Sequence, residues 1–298
     1  MPTYFLPSAE ISFKDTLSRQ INPCDWLLGF KRLIHKISSK VLLIDGFNLV
    51  RRLYEAHPNG DSEIDAVIDS AGKSLQRALN THRPTHGIVV FECHDPTWRH
   101  MFYSEYKAGR KPTPPTLLDG IAGFETKFNE LGIASFSLNN YEADDVIATL
   151  AVGIARAGGE AIVLSTDKSF LQLINANIHV FDHFKQSEYL KAEVVERLGV
   201  KISQLTDYWA MSGDASNNIK GVARIGKKSA AALLGKYSSL EEILASSDED
   251  KKVQLVKADA NNAIRCKQLV TLKLDVELGI NLKTFRLHPK PLPDADSY

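Results

Sequence analysis

Asn140-Tyr141-Glu142-Ala143-Asp144-Asp145 puts three carboxylates into four consecutive positions at the start of an apolar helix. Val146, Ile147, Leu150, Ala151 and Ile154 follow at helical spacing and mark its buried face. Packing does not require such a cluster. One or two acids in a first turn suffice to use the positive end of the helix dipole, and a third repels its neighbours unless a cation sits among them. A solvated, acid-rich helix start is the plain alternative. The chemical reading is a magnesium-type site, because hard divalent cations prefer carboxylate oxygens and bound water. Further acids at corresponding places favour the second reading: Asp45, Glu92 and Asp167 each follow an apolar run.

Those runs are Val41-Leu42-Leu43-Ile44 before Asp45, Ile88-Val89-Val90-Phe91 before Glu92, and Ala161-Ile162-Val163-Leu164 before Ser165-Thr166-Asp167. A further strand, roughly Ala134 to Ser137, leads into the Glu142 cluster. Ile64, Val67, Ile68, Ala71, Leu75 and Leu79 keep helical spacing between the first two. Continuous apolar strands alternating with amphipathic helices describe an α/β fold, a parallel sheet covered on both faces. In such sheets functional side chains gather beyond the carboxyl ends of the strands. The expectation is that Asp45, Glu92, Glu142, Asp144, Asp145 and Asp167 meet there. Phosphodiester hydrolysis is a chemistry such a cluster serves, with bound metal ions activating water and neutralising developing charge.

Bulk composition does not announce a polyanionic partner. Lys+Arg and Asp+Glu are both 36, so any nucleic-acid contact must come from local clusters. A length of 298 residues, 44% hydrophobic and 24% charged, gives ample core for one large domain or two small ones. Cys24, Cys93 and Cys266 lie far apart without metal-ligand spacing, which points to a reducing compartment and no disulfide framework. The histidines are scattered and read as surface or packing residues, His100 excepted because it falls in a basic segment. No apolar run approaches the length of a membrane span.

Two clusters of cations stand out. Pro96 to Pro115 is too long for a simple connection and carries Arg99, Lys107, Arg110 and Lys111, with Trp98, Phe102, Tyr103 and Tyr106 to give it order. The second runs from Lys220 to Lys236, with Arg224, Lys227 and Lys228 between and no acid. Gly221 and Gly226 bracket a short apolar turn before a helix starting near Lys227, the pattern of a helix-hairpin-helix. Its backbone amides and helix N-terminus would hold a phosphate, with side-chain contacts from Lys227, Lys228 and Ser229. The Gly-Lys-Lys-Ser run lacks the upstream glycine spacing and preceding strand of a P-loop. Residues 1–40 read as a poorly ordered extension, although Leu27, Phe30, Ile34 and Ile37 with Lys31, Arg32 and Lys36 also fit a short basic amphipathic helix for a membrane surface or a partner. Residues 289–298 read as a disordered, proline-rich tail.

Taken together, Val41 to Asp45, Trp98-Arg99-His100, Tyr106-Lys107-Ala108-Gly109-Arg110, Glu142-Ala143-Asp144-Asp145 and Thr166-Asp167-Lys168 resemble the flap endonuclease family. That family includes the 5′-nuclease domain of bacterial DNA polymerase I, and the resemblance runs from about residue 41 to about residue 288. It implies a parallel-sheet, PIN-like or resolvase-like nuclease domain over 41–200, with an arch at about 96–115, and a helical helix-hairpin-helix subdomain over 201–288. It implies a structure-specific endonuclease that hydrolyses DNA near 5′ flaps and single-strand/double-strand junctions, as in Okazaki-fragment flap removal during replication and repair. The implied cofactor is magnesium, with manganese able to substitute. The implied protein is a cytoplasmic monomer without an obligate protein partner, associated with the nucleoid when on DNA.

By the same resemblance Asp45, Glu92, Glu142, Asp144 and Asp145 build a first metal site, and Asp167, Ser169, Asp214 and Asn217 a second. Lys107 and Arg110 face the scissile phosphate. The hairpin holds a potassium ion on the carbonyls of Met211, Ser212, Lys220, Val222 and Ile225. It contacts DNA through Arg224, Ile225, Gly226, Lys227, Lys228 and Ser229. Ser169 and Asn217 stand where the family usually has acids, Glu92 where it has Asp, and Arg224 where glycine is common. Only Asp167 and Asp214 thus bring charge to the second site. Two other functions follow for such a chain: a catalytically weak protein that binds flaps or DNA ends, and an RNA-directed nuclease, which a hairpin suited to duplex DNA backbone disfavours.

Overall fold

Strand β1 (Lys40–Asp45) is apolar from Val41 to Ile44, and all four of those side chains are fully buried because both faces of the strand are covered. The computed structural model describes residues 39–287, apart from 58, 60, 61 and 94. The chain continues through α1 (Gly46–Ala56), α2 (Ile64–His82), β2 (His86–Val90), α3 (Trp98–Phe102), α4 (Ile121–Glu130), β3 (Ala134–Phe136), α5 (Ala143–Arg156), β4 (Glu160–Leu164), β5 (Ile178–Asp182) and β6 (Ser187–Glu188). The C-terminal part is helical and includes α6 (Leu205–Ser212), α7 (Lys227–Lys236) and α8 (Ala260–Val270).

The strands form one sheet in the order β3-β2-β1-β4-β5-β6, parallel throughout except for β6 against β5. Alternation along β1 sorts the two covering layers. Leu42 and Ile44 share a core with Val67 and Leu75 of α2 and Phe124 and Phe128 of α4. Val41 and Leu43 share the other with Val146, Ile147 and Ile154 of α5. That second core continues into Leu205, Tyr208, Val222, Leu233 and Leu269, so sheet and helical part are packed without a break near residue 200.

From β1 the chain builds β2 and β3 to one side, then returns to lay β4 on the other. The order therefore reverses between β1 and β4, and a crevice opens beyond their carboxyl ends, the usual ligand position in an open α/β sheet. Asp45 and Ser165-Thr166-Asp167 emerge there. The four expected strands are present, and β5 and β6 are additions to that expectation. β5 alternates buried and half-buried residues, including His179, and β6 has only two residues, too few to show a period. The expected N-terminal extension lies outside the described residues except for its last two positions, of which Lys40 begins β1. The expected C-terminal tail also lies outside them. Among the described residues no helix is long and apolar enough to cross a membrane.

Phe128 is fully buried, stacked 6.5 Å from Phe91 and tilted 6.2 Å from Phe124. Phe128→Ala should lower the unfolding free energy by about 3–5 kcal/mol. The measurement is a urea titration, in which the midpoint should drop with little change of slope.

Candidate active site

The acids at the strand ends are held by the turns they start. Asp45 accepts from the backbone N–H of Asn48 through Oδ1 (3.2 Å) and from the Ser165 hydroxyl through Oδ2 (2.7 Å), which ties the end of β1 to the end of β4. Asp167 accepts from the Ser169 N–H (2.8 Å) at the start of a 3-10 turn. The Ser169 hydroxyl donates to Asp144 Oδ2 (2.9 Å) in the first turn of α5. Asp45, Glu92, Glu142, Asp144 and Asp167 line a cavity of about 760 Å³. A second cavity of about 550 Å³ shares Asp144 and Asp167 with it and adds Asp214. Burial, reinforced by the charges of Asp167 and Glu92, pushes the Asp45 carboxyl up to about 7 against the hydrogen bonds that favour its ionised form. Burial and the charges of Asp167 and Asp45 likewise raise Asp144 well above the usual carboxylate range.

Asp145 is not brought to either cavity with the other expected metal acids. Its Oδ1 accepts from Arg99 Nη2 (2.8 Å) and the Lys273 N–H (2.9 Å). Its Oδ2 accepts from Arg99 Nη1 (2.7 Å) and the Trp98 indole (2.8 Å). Consecutive helical residues diverge by about 100° at 3.6 residues per turn, so Asp144 reaches the crevice while Asp145 turns into the protein. Arg99, counted among the cations of the basic segment, is 2% exposed and turned into the protein. Its guanidinium also donates to Glu142 Oε2 (2.7 Å) and to the carbonyls of Leu269 (2.9 Å) and Thr271 (3.1 Å). Burial opposes its charge, but the bonds and charges of Asp145 and Glu142 outweigh that and hold its proton more firmly than usual.

Glu142 is an anion with partners. Tyr106 donates to Oε2 (3.1 Å), and the Lys107 ammonium lies 2.7 Å from Oε1. Burial pushes its carboxyl up, yet Lys107 and Arg99 bring it below the ordinary range. Lys107 has φ +56, an uncommon conformation for a residue with a side chain, and its N–H is anchored on the Asn217 carbonyl (2.9 Å). Its ammonium is also 3.4 Å from Glu92 Oε1. Arg110 donates to the Ser216 carbonyl (2.9 Å) and Asn217 Oδ1 (2.7 Å), Asn217 donates to Asp214 Oδ2 (2.6 Å), and Asn218 donates to the Glu105 carbonyl (2.7 Å). The basic segment is thus docked on the 214–218 loop. Ser169 and Asn217 each hydrogen-bond an acid and add no charge of their own.

The hairpin is knit tightly. A Cβ on Gly221 would lie 2.3 Å from the Gly213 nitrogen and 2.4 Å from the Met211 carbonyl oxygen, so only glycine fits this backbone contact. Asp214 and Ile219 form an antiparallel bridge beside it. Arg224 has φ +67, which explains why glycine suits this position: a side chain there costs about 1–2 kcal/mol. Lys227 and Lys228 are exposed at the start of α7, and Lys227 lines the same cavity as Asp214. Ile225 is buried and offers only backbone. Of the expected potassium ligands, the Met211 carbonyl accepts from the Val222 N–H (2.9 Å), and that of Val222 from the Ile225 N–H (3.0 Å). The Lys220 carbonyl takes two donors, Asn262 Nδ2 and Cys266 Sγ, each at 3.2 Å.

Residues 40–199 match the N-terminal resolvase-like domain of 5′-3′ exonucleases, and residues 200–292 match their C-terminal SAM fold. The chain belongs to the 5′-3′ exonuclease family. Among its relatives, flap endonuclease Xni of Psychromonas ingrahamii is 43% identical over 254 residues, 83% of this chain and 97% of that protein. Flap endonuclease Xni of Shewanella frigidimarina is 40% identical over 253 residues, 84% and 98% of the two chains. The fold is shared with T5 5′-exonuclease bound to divalent zinc (TM-score 0.68, 20% identity, 78% of this chain and 89% of that one). It is shared too with the bacteriophage T5 flap endonuclease in a pseudo-enzyme-product complex with DNA and metal ions (TM-score 0.66, 22% identity, 78% and 88%).

The donor chemistry of the cavity fits a hard cation: its acids are oxygen donors, and Asp45 and Asp144 stand close enough to Asp167 for its charge to raise both. Among the described residues no group of three or more His, Cys, Asp and Glu side chains is arranged to hold an ion unaided. An ion in this cavity would therefore keep part of its water shell, as magnesium commonly does. Asp45 and Asp144 have pKa values in the fold above those of the unfolded chain. The Asp45 contribution to stability is present below about pH 4 and is lost as pH rises through about 7, and that of Asp144 is likewise lost as pH rises through its own raised pKa. The metal-free melting temperature should accordingly fall between about pH 5 and pH 8, and magnesium should raise it more at the higher pH. Calorimetric scans with chelator and with magnesium test this, and an equal magnesium effect at both pH values would show that these acids do not bind the ion.

Proposed function

We propose that the chain is a structure-specific 5′ flap endonuclease, a metal-dependent hydrolase that cuts DNA phosphodiester bonds near single-strand/double-strand junctions. The observation that carries this reading is the wall shared by the two cavities. Asp144 and Asp167 line both cavities, one of which also takes in the hairpin residue Lys227, and the other Lys107 and Arg110. Relatives that cover most of both chains and are named flap endonuclease support the substrate class.

In this reading Asp45, Glu92, Glu142, Asp144 and Asp167 hold a magnesium ion, for which manganese can substitute. The bound metal supplies an activated water and neutralises developing charge. Arg99 and Tyr106 keep Glu142 ionised and fixed in place. Lys107 and Arg110 set positive charge where the phosphoryl oxygens gain negative charge. The hairpin grips duplex backbone through Arg224, the Ile225 and Gly226 amides, Lys227, Lys228 and Ser229, without reading sequence. A second metal would rest on Asp167 and Asp214 alone, since Ser169 and Asn217 are neutral, and would bind more weakly. A potassium ion at the hairpin carbonyls, a monomeric state, work on Okazaki-fragment flaps and a cytoplasmic place at the nucleoid complete the proposal. Ser169 and Asn217 also favour a second reading, a flap-binding protein of low catalytic power.

The test is cleavage of a labelled 5′-flap duplex beside blunt duplex and single strand, with magnesium, manganese or chelator. Incision near the junction should require metal and favour the flap, and Asp144→Ala should lose incision while still binding it. Tight flap binding with no incision under any metal would establish the binding-protein reading instead.

A further inference from the structure

Helix α8 reaches the hairpin with side chains. Asn262, in its first turn, places Nδ2 3.2 Å from the Lys220 carbonyl and 3.3 Å from that of Gly221. An amide has two hydrogens, and Asp259 Oδ2 (2.9 Å) takes one, so the two carbonyls share the other. The Cys266 thiol, one turn on, donates to the Lys220 carbonyl as well (3.2 Å). The same stretch is held from α6 by backbone, where Gly221 leaves no room for a Cβ against Gly213 and Met211. The link between Lys220 and Gly221 is therefore gripped from two helices, directly before the hairpin's further cations.

The other end of Asn262 leads away from the hairpin. Its Oδ1 accepts from Arg265 Nη2 (2.7 Å), and the Arg265 guanidinium lies 4.8 Å over the Tyr103 ring. Tyr103 closes α3, bonds its N–H to the Arg99 carbonyl (2.9 Å) and packs against the buried core. From there the chain runs on through Tyr106 to Lys107 and Arg110. A continuous set of contacts thus joins the hairpin to the segment that carries those two cations. The segment also meets the hairpin directly, through the Lys107 N–H on the Asn217 carbonyl and Arg110 on the Ser216 carbonyl. One point of attachment leaves a hinge, and a second fixes the orientation.

We propose that Asn262 and Arg265 are positioning residues, a strut that holds the hairpin in register with Lys107 and Arg110 and so sets where the DNA strand is cut. This inference rests on the flap reading above and adds to it a determinant of cut position. In that reading the hairpin holds duplex by its phosphates and reads no sequence. The cut position is then a distance, from the gripped phosphates to Lys107 and the cavity acids, and the protein has to supply it. A misplacement of about 1 Å can cost about 100-fold in rate. A guanidinium suits such a strut, because its plane lies on a ring while its edge bonds an amide.

The experiment follows single-turnover incision of an end-labelled 5′-flap duplex by excess full chain, with magnesium and a fixed potassium concentration. Every cut position is read on a sequencing gel, and flap affinity is measured separately with chelator. Arg265→Ala should keep the native melting temperature and flap affinity. It should lower incision at the native position about 10- to 100-fold and move part of the cutting to neighbouring positions. Asn262→Ala should do the same, and the double variant should be no worse than the worse single one, because both break one strut. Arg265 is exposed, so its variant keeps the test valid where Asn262→Ala fails to fold. Tyr103→Phe, which keeps the ring, should cut as the native chain does, whereas Tyr103→Leu should cut as Arg265→Ala does. Weaker flap binding by Arg265→Ala, with a salt slope reduced by about one and native cutting at saturation, is the signature of a plain phosphate contact and overturns the strut. If the native chain makes no incision at the junction, the flap reading fails and the strut falls with it. If the native chain cuts there and folded Arg265→Ala keeps its positions and rate, only the strut fails.

Discussion

A buried guanidinium holds the acidic end of this fold together. Arg99 joins α3, the start of α5 and the end of α8 by binding Glu142, Asp145 and the carbonyls of Leu269 and Thr271. Without it the buried Asp145 would lose its ion pair and Glu142 would keep only Lys107, and an uncompensated buried carboxylate typically costs several kcal/mol. Its presence also sorts the acids. Glu142 and Asp145 are neutralised by direct contact with Arg99, whereas Asp45, Asp144 and Asp167 line the cavity, where burial and neighbouring charge raise the affinity of Asp45 and Asp144 for protons. The site is therefore balanced behind and short of positive charge in front. That shortage is what a divalent cation would relieve.

The basic segment beside the cavity follows from the same pairing of charges. Lys107 lies against Glu142 and Glu92, and the left-handed turn that brings it there is secured by the Asn217 carbonyl. Arg110 docks on a neutral amide and a carbonyl at an exposed position. Bonds of that kind contribute only about 1 kcal/mol each in net terms. A segment docked in this way is released at less cost than one tied by an ion pair between Arg110 and an acid at position 217.

Much of this was legible in the sequence. The apolar runs before Asp45, Glu92 and Asp167 specify buried parallel strands, and parallel strands bring their carboxyl ends to one side. The basic hairpin was legible partly through Gly221, which answers a backbone contact that no side chain can enter, whereas Gly226 stands in open space. The sorting of Asp144 from Asp145 was not. Spacing shows that two neighbours on a helix diverge, but the partner that claims one of them comes from Arg99, far back in the chain, and is fixed by carbonyls near residue 270. Arg99 itself reads as one more cation in a basic stretch, because nothing local reveals that it will be buried. Ser169 and Asn217 were legible as lost charges, but their hydrogen bonds to Asp144, Asp214 and Arg110 depend on three loops meeting. Strand β6 is too short for its residue types to declare it.

Division of labour between the two neighbouring aspartates is the point on which this picture stands. The most direct measurement is calorimetric titration of magnesium into the native chain, Asp144→Asn and Asp145→Asn, each checked for folding. Asp144→Asn should stay folded and lose magnesium binding, while Asp145→Asn should be less stable and bind magnesium with near-native affinity per folded molecule. Loss of magnesium binding in folded Asp145→Asn, with binding kept in Asp144→Asn, would contradict the assignment.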